Sequence, residues 1–215
     1  MKIKYLLLSV LALGLASCGG ANKKNKVETK DAKEVATETK HNLTVDASTS
    51  VINWIGYKIG GDHAGTIKLE SGNISIDGDK ILSGSFTINM NSIQNTDMDE
   101  GKMRDQLVAH LKSEDFFDVS KYPTATFDIT SANKLDSNNY MIEGNLKMKD
   151  VTKNISFEVQ ITKNEKGVYT AVSNVFVINR TEWNVNYGSK NVFKDLKDAV
   201  IKDDVEIKLA ISAHE

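Results

Sequence analysis

The fold of this chain is decided by the stretch YMIEGNLKMKDVTKNISFEVQIT, residues 140–162, in which apolar and polar side chains alternate. One face of this pattern carries Tyr140, Ile142, Gly144, Leu146, Met148, Ile155, Phe157, Val159 and Ile161. Alternate residues of a β-strand point to opposite faces, and one polar face is typical of an antiparallel sheet with one side in water. The stretch therefore predicts two neighbouring strands that share a buried face.

The same alternation extends outward in both directions, separated by turn-forming residues. Turns are predicted at 77–79, 136–139 and 164–167, where Asp, Gly, Asn and Ser cluster. About eight or more strands result, including residues 50–59, 66–69, 73–76, 81–90, 124–132, 168–178 and 205–211. One helix is expected over 99–112, where Met103, Leu107 and Leu111 recur every four residues, and a shorter helical turn over 194–199.

Consecutive antiparallel strands with a single apolar face must close into a barrel or pack as a sandwich, because an open sheet would expose that face and its edges. Gly56, Gly84 and Gly144 lie on the apolar face. Interior glycines indicate either a bend of the sheet or the close approach of another group, such as a ligand. Periodicity alone leaves both interpretations open.

Composition excludes several classes of protein. Of 215 residues, 40% are hydrophobic, one is Pro and one is Cys, which excludes wholly disordered, collagen-like and disulfide-rich chains. From residue 43 onward, 19 basic residues stand against 25 acidic ones, a balance of −6. We therefore expect no nucleic-acid partner and no polybasic membrane patch, both of which need a basic surface.

The N-terminus has the layout of a bacterial export signal. Lys2 and Lys4 precede an apolar run over 5–15 that is too short to span a bilayer unaided. The residues Leu15-Ala16-Ser17-Cys18 resemble a lipobox, in which cleavage leaves the cysteine as the first residue, carrying diacylglycerol and an N-acyl chain such as palmitate. We expect a signal peptide over 1–17 and lipidation at Cys18, which would anchor the protein to a membrane of the cell envelope. The alternative is an ordinary secretory signal with a chance cysteine near its cleavage site.

The chain after Cys18 is rich in Lys, Asn and Thr and almost without large apolar side chains. Such a segment cannot bury enough surface to offset its ordering entropy. We therefore expect a flexible tether over 18–42, followed by a β domain over 43–215.

The stretch HLKSEDFFDVSKYPTATF, residues 110–127, resembles the signature of the polyisoprenoid-binding, YceI-like family. Further matches are Asp46, Ser50-Val51, residues 144–146 with 151–153, and Asn179-Arg180-Thr181-Glu182-Trp183. The resemblance covers about residues 43–213. It implies a lipocalin-like closed antiparallel barrel whose apolar tunnel holds a long isoprenoid or a similar amphiphile, with no cofactor besides this lipid.

The candidate ligand-binding residues are those of the apolar face and of the signature: Trp54, Phe86, Phe116, Phe117, Phe127, Tyr140, Ile142, Leu146, Phe157, Phe176 and Arg180. Three positions depart from the family pattern: Thr49-Ser50 replaces a His-Ser pair, Trp54 replaces a Phe, and Asp150 replaces a Gly at a turn. An inward Trp54 would narrow a tunnel. Asp tolerates left-handed geometry, so the turn is expected to survive.

Other interpretations of the same residues remain open. Phe116 and Phe117 either plug an end of the barrel, line a ligand entrance or belong to an ordinary core. Arg180 either forms a salt bridge or meets a lipid head group. The domain as a whole is either a carrier or a structural module with a filled core. An enzyme is not expected, because the four histidines have no metal-ligand spacing and no nucleophile motif is present.

Overall fold

The computed structural model describes residues 25–197 and 199–215, so the expected signal peptide and Cys18 lie outside the described residues. The strands are β1 Asn25–Lys26, β2 Lys30–Asp31, β3 His41–Val45, β4 Val51–Lys58, β5 Gly61–Asp77, β6 Lys80–Asn95, β7 Thr124–Lys134, β8 Asn139–Met148, β9 Val151–Lys163, β10 Tyr169–Ser173, β11 Phe176–Asn179 and β12 Ile201–His214. Helix α1 covers Lys102–Lys112, and a 3₁₀ helix covers Arg180–Trp183.

Eight of these strands form a closed antiparallel ring. The order is β4-β5-β6-β7-β8-β9-β10-β12, and β12 pairs with β4, for example Ile207 with Trp54, to complete the circle. The alternating apolar residues of every ring strand point inward, because a closed sheet has one interior to fill. The prediction of a closed antiparallel barrel with one short helix is confirmed.

Several predicted boundaries are wrong. Strands 66–69 and 73–76 are one strand, β5, which is interrupted only by irregular pairing with β6. The strand expected over 168–178 breaks at Asn174 and Val175 into β10 and β11, and residues 191–197 form turns where a helical turn was expected. Helix α1 begins at Lys102, three residues late, because Gly101 has a φ of 149°.

The turn that joins β8 to β9 is present although Asp150 replaces the glycine of the family pattern, but Asp150 is not the residue with left-handed geometry. Lys149 carries the positive φ, 53°, and its Nζ donates to the carbonyls of Phe116 and Asn184 at 3.2 and 3.1 Å. These two hydrogen bonds offset part of the strain of a left-handed lysine.

The segment 25–40, here called the strap, is not the flexible tether that its composition suggests. Asn25–Lys26 pairs in parallel with β11 and Lys30–Asp31 pairs antiparallel with β9, so the strap fills the seam between these two strands. Val27 between them packs against the barrel core. The prediction fails for residues 25–42 because backbone amides can pair with open strand edges whatever the side chains are.

The strap then crosses the outer wall strand by strand. Its backbone bonds in turn to Asn145 of β8, to Ile129 of β7, to Ser83 of β6 and to Ser75 of β5. The side-chain amide of Asn145 bonds to both backbone groups of Lys33, as a neighbouring strand would. Its Oδ1 accepts from the Lys33 amide at 3.0 Å, and its Nδ2 donates to the Lys33 carbonyl at 2.7 Å. The strap enters β3, which continues the path by pairing with β5.

Replacing Asn145 by Ala is expected to release the strap, because it leaves both Lys33 backbone groups without their partner and costs about 1–3 kcal/mol. Limited trypsin digestion should cut at Lys30, Lys33 and Lys40 several times faster in the variant. Asn53→Ala is the control, because Asn53 is exposed on β4 and its side chain makes only a 3.5 Å hydrogen bond. Equal cleavage of the two variants would contradict the role given to Asn145.

Candidate functional site

The barrel encloses an apolar cavity of about 540 Å³. Ligand pockets in proteins commonly measure about 300–1,000 Å³. Every strand of the ring contributes apolar side chains to its wall, among them Ile52, Ile67, Ile88, Ile129 and Val159. The interior of this barrel is therefore hollow, which is evidence against the filled core of the alternative interpretation.

An aromatic row runs across one side of the cavity wall. The ring centroids of Phe86 and Phe127 are 6.2 Å apart, those of Phe127 and Phe157 are 5.5 Å apart, and Phe157 stacks on Phe176 at 4.5 Å. Such pairs add about 0.5–1.5 kcal/mol beyond the area they bury. The row stiffens the wall and presents a continuous apolar surface.

Glycines on neighbouring strands allow three cavity aromatics to lie along the wall. A Cβ at Gly65 would lie 2.4 Å from the Trp54 ring, one at Gly72 would lie 3.0 Å from Phe86, and one at Gly144 would lie 2.3 Å from Phe127. Each ring therefore occupies the space above a glycine. Trp54 lines the cavity and packs against Gly65 of the neighbouring strand. Gly144 allows the close approach of a protein side chain, Phe127.

The mouth of the cavity is formed by α1, the loop after it and the loop over 184–200. Leu107, His110 and Leu111 of α1 line it together with Phe116 and Phe117. The His110 ring lies 5.0 Å from Phe116 and 4.6 Å from Tyr187, both edge-on. Both signature phenylalanines thus line the cavity at this end, but Phe116 is also buried and Phe117 also packs against the core, so each interpretation describes part of their surroundings.

Arg180 forms hydrogen bonds at both ends of the loop over 184–200, here called the mouth loop. Its guanidinium donates to the carbonyls of Lys202, Val185 and Ile201 at 3.2, 2.5 and 3.1 Å, and its Nη2 lies 3.7 Å from Asp203 Oδ1. Burial lowers the pKa of Arg180, and the Asp203 carboxylate opposes that effect. Because its nitrogens are engaged within the protein, the salt-bridge interpretation is favoured over contact with a head group.

All ionisable groups among the lining side chains, apart from tyrosines, are basic: Lys58, His63, His110, Arg180 and Lys202. His63 Nδ1 lies 3.0 Å from Asp97 Oδ2. Burial raises the pKa of Asp97, but hydrogen bonds from the Ala64 amide, His63 and Asn95 outweigh it, so this pKa lies below its usual value. Asp97 is therefore ionised at neutral pH and fixes the position of His63.

A second, smaller cavity of about 170 Å³ lies at the other end of the barrel. Tyr140 lines this cavity, and its hydroxyl donates to the Asp79 carbonyl at 2.9 Å. Ile74, Ile81 and Ile161 are among the side chains that border both cavities. The two cavities are therefore neighbours that share part of their wall.

The structure brings ten of the eleven predicted residues to the main cavity and places the eleventh, Tyr140, in the small one. The ten are Trp54, Phe86, Phe116, Phe117, Phe127, Ile142, Leu146, Phe157, Phe176 and Arg180. Ligand contact by these residues stays a prediction. The prediction missed inward aliphatic residues such as Ile52 and Leu69, although the same alternation indicates them. It also missed residues of the mouth loop such as Tyr187, which no periodic pattern indicates.

Within 25–197 and 199–215, no group of three or more His, Cys, Asp or Glu side chains could hold a metal ion. Over the same residues, no helix is long and apolar enough to cross a membrane.

A closed eight-stranded antiparallel barrel with a hollow apolar interior defines a lipocalin-like binding fold. Residues 43–213 match the model of the YceI-like domain, and the chain belongs to that family. The family resemblance seen in the sequence is thereby confirmed.

Individual relatives agree with this assignment. Protein YceI of Salmonella arizonae is 34% identical over 100 residues, 46% of each chain, and a UPF0312 protein of Pectobacterium atrosepticum is 35% identical over 100 residues, 46% of this chain and 45% of that protein. The alignments thus span about half the length of these relatives.

Solved structures share the fold. BcnA of Burkholderia cenocepacia gives a TM-score of 0.63 at 24% identity and covers 78% of this chain and 98% of its own. A polyisoprenoid binding domain from Saccharophagus degradans, described as implicated in plant cell wall breakdown, gives 0.62 at 16% identity and covers 84% of this chain and 99% of its own.

Proposed function

We propose that this protein binds a long-chain isoprenoid or similar amphiphile in the barrel cavity and carries it within the bacterial envelope, anchored to a membrane by acyl chains on Cys18. The observation that carries the proposal is the hollow interior of about 540 Å³ with its apolar wall. The polyisoprenoid-binding description of the Saccharophagus degradans domain, which has the same fold, supports it. The proposal includes no catalytic step.

The energetics favour a tail of moderate or greater length. Each buried methylene contributes about 0.8 kcal/mol, so a dozen contribute roughly 10 kcal/mol. Association itself costs about 4–15 kcal/mol. A tail of a dozen carbons therefore only begins to offset this cost, and longer tails bind with a net gain.

Binding and carriage are tested by presenting vesicles that contain a radiolabelled long-chain prenyl alcohol to the full-length protein. We expect the label to move to the protein and then to label-free acceptor vesicles, faster than it moves without protein. Label that never leaves the donor vesicles would contradict binding. Label that reaches the protein but not the acceptor would retain binding and contradict the carrier role.

Replacing Cys18 by Ser tests the anchor. The variant lacks the thiol to which diacylglycerol is attached, so we expect it to lose the acyl anchor and the processing that depends on it. Metabolic labelling with palmitate should mark the wild-type protein and leave the variant unlabelled. Equal palmitate labelling of both proteins would contradict lipidation at Cys18.

A further inference from the structure

Exposed apolar side chains are concentrated at the mouth of the barrel. Among the described residues, eight large hydrophobic side chains are exposed, and five of them belong to the elements around the mouth. These five, here called the rim, are Ile59, Met103, Tyr187, Val192 and Phe193, with exposures of 56, 73, 40, 47 and 47%. Large exposed apolar groups that gather at one place mark an interaction surface.

Hydrogen bonds and helix geometry connect the rim to the cavity entrance. The Ile59 amide donates to the Val200 carbonyl at 3.2 Å, and Val200 lines the entrance. Val192 and Phe193 both bond to the Ser189 carbonyl, at the tip of the loop whose first part carries Tyr187. Met103 lies one helical turn before Leu107, which also lines the entrance.

The charge of the mouth differs from that of the rest of the domain. Residues 184–204 hold four lysines and four aspartates and are neutral, whereas residues 43–215 together carry −6. Lys58 and Lys202 are exposed and also line the entrance. No Asp or Glu is among the described residues that line the cavity, so these two lysines have no acidic neighbour in its lining. Lysines near apolar groups complement anionic lipid head groups, at about 1 kcal/mol each near a membrane surface.

The position of the strap brings the N-terminal part of the chain to the same side. Lys26 pairs with Asp204 at 2.5 Å, and Asp204 is two residues beyond Lys202 of the entrance. Seven residue steps separate Cys18 from Asn25, which limits their distance to about 25 Å. An acyl anchor on Cys18 would therefore keep the mouth close to the bilayer.

We propose that the rim docks into the head-group region of an anionic lipid bilayer, so that a tail passes between bilayer and cavity without crossing water. This inference rests on the proposed function, and it adds the surface through which the ligand enters. Tyr187 suits the interface because its ring is apolar and its hydroxyl is polar, and Phe193 adds a purely apolar side chain that can insert among the acyl chains.

A tryptophan reporter on the rim tests the docking. The full-length protein, reconstituted in vesicles of phosphatidylethanolamine and phosphatidylglycerol with acyl-chain-brominated lipid, is compared as Phe193→Trp and Leu135→Trp. Leu135 is a matched control because it is 52% exposed, at the turn between β7 and β8. The native tryptophans are buried and give the same background in both variants. We expect bromine to quench the reporter at 193 at least threefold more strongly than the one at 135.

Equal quenching at the two positions would overturn the proposal. An unquenched reporter at 193 would also overturn it and would indicate that the rim binds a protein partner instead. A second pair of variants separates this outcome from failure of the proposed function. Phe193→Glu should slow the transfer of labelled prenyl alcohol from vesicles about tenfold with the final amount bound unchanged, whereas Leu135→Glu should not change the rate. If no variant binds a tail, the proposed function fails, and the quenching result still decides the docking.

Discussion

The variant Gly56→Trp is expected to fold normally and to bind a lipid tail about a hundredfold more weakly than the wild type. Gly56 lies on β4 in the wall of the cavity, and a Cβ placed there meets no atom within 4 Å. The indole can therefore enter the cavity without displacing the backbone. If it excludes four methylenes of a ligand, the loss is about 3 kcal/mol, or roughly two orders of magnitude in affinity.

The control for this variant is Gly61→Trp. Gly61 is exposed on β5, does not line the cavity, and likewise has no atom within 4 Å of its added Cβ. Equilibrium binding of a labelled prenyl alcohol should be close to that of the wild type in Gly61→Trp and about a hundredfold weaker in Gly56→Trp. Near-UV circular dichroism verifies that both are folded. Undiminished binding by a folded Gly56→Trp protein would mean that the tail does not occupy this cavity.

The variant Arg180→Met is expected to lower the free energy of unfolding by about 3–5 kcal/mol, the usual cost of removing one partner of a buried ion pair. It leaves the carbonyl of Val185 in the mouth loop and those of Ile201 and Lys202 at the start of β12 without their donor. It also leaves Asp203, whose side chain is 10% exposed, without its cation. Urea unfolding measures the change. Removing the stranded carboxylate in the double variant Arg180→Met, Asp203→Leu should restore part of the loss.

Arg104→Met is the matched control, because Arg104 pairs on the surface of α1 with the exposed Glu100 at 3.4 Å. Exposed pairs contribute about 0–1 kcal/mol, so the control should shift the unfolding midpoint little. If Arg180 served only to contact a head group, Arg180→Met would weaken ligand binding and leave stability at the level of Arg104→Met. That outcome would contradict the structural role assigned here.

The sequence predicts the barrel well because its dominant interaction is periodic. The alternation over 140–162 specifies which residues face inward, and Phe157 and Ile142 both lie in the cavity wall as expected. The width of the cavity is harder to predict, because it depends on which residues lie opposite each other on neighbouring strands. Only strand register reveals that Trp54 lies opposite Gly65 and Phe86 opposite Gly72.

The strap and the mouth loop escape prediction for different physical reasons. The strap is held by backbone hydrogen bonds and by Asn145, and its polar composition gives no sign of these contacts. The mouth loop is fixed by the Arg180 guanidinium, which reaches carbonyls up to 22 residues away in the chain. Neither arrangement leaves a periodic pattern for sequence reasoning to detect.

The most direct test of the central claim is native mass spectrometry of the full-length protein, extracted from bacterial membranes in mild detergent. We expect one long-chain amphiphile bound per molecule, in addition to any covalent acyl chains, and its absence from Gly56→Trp prepared in the same way. A wild-type mass with no bound amphiphile in protein from several expression hosts would contradict this claim.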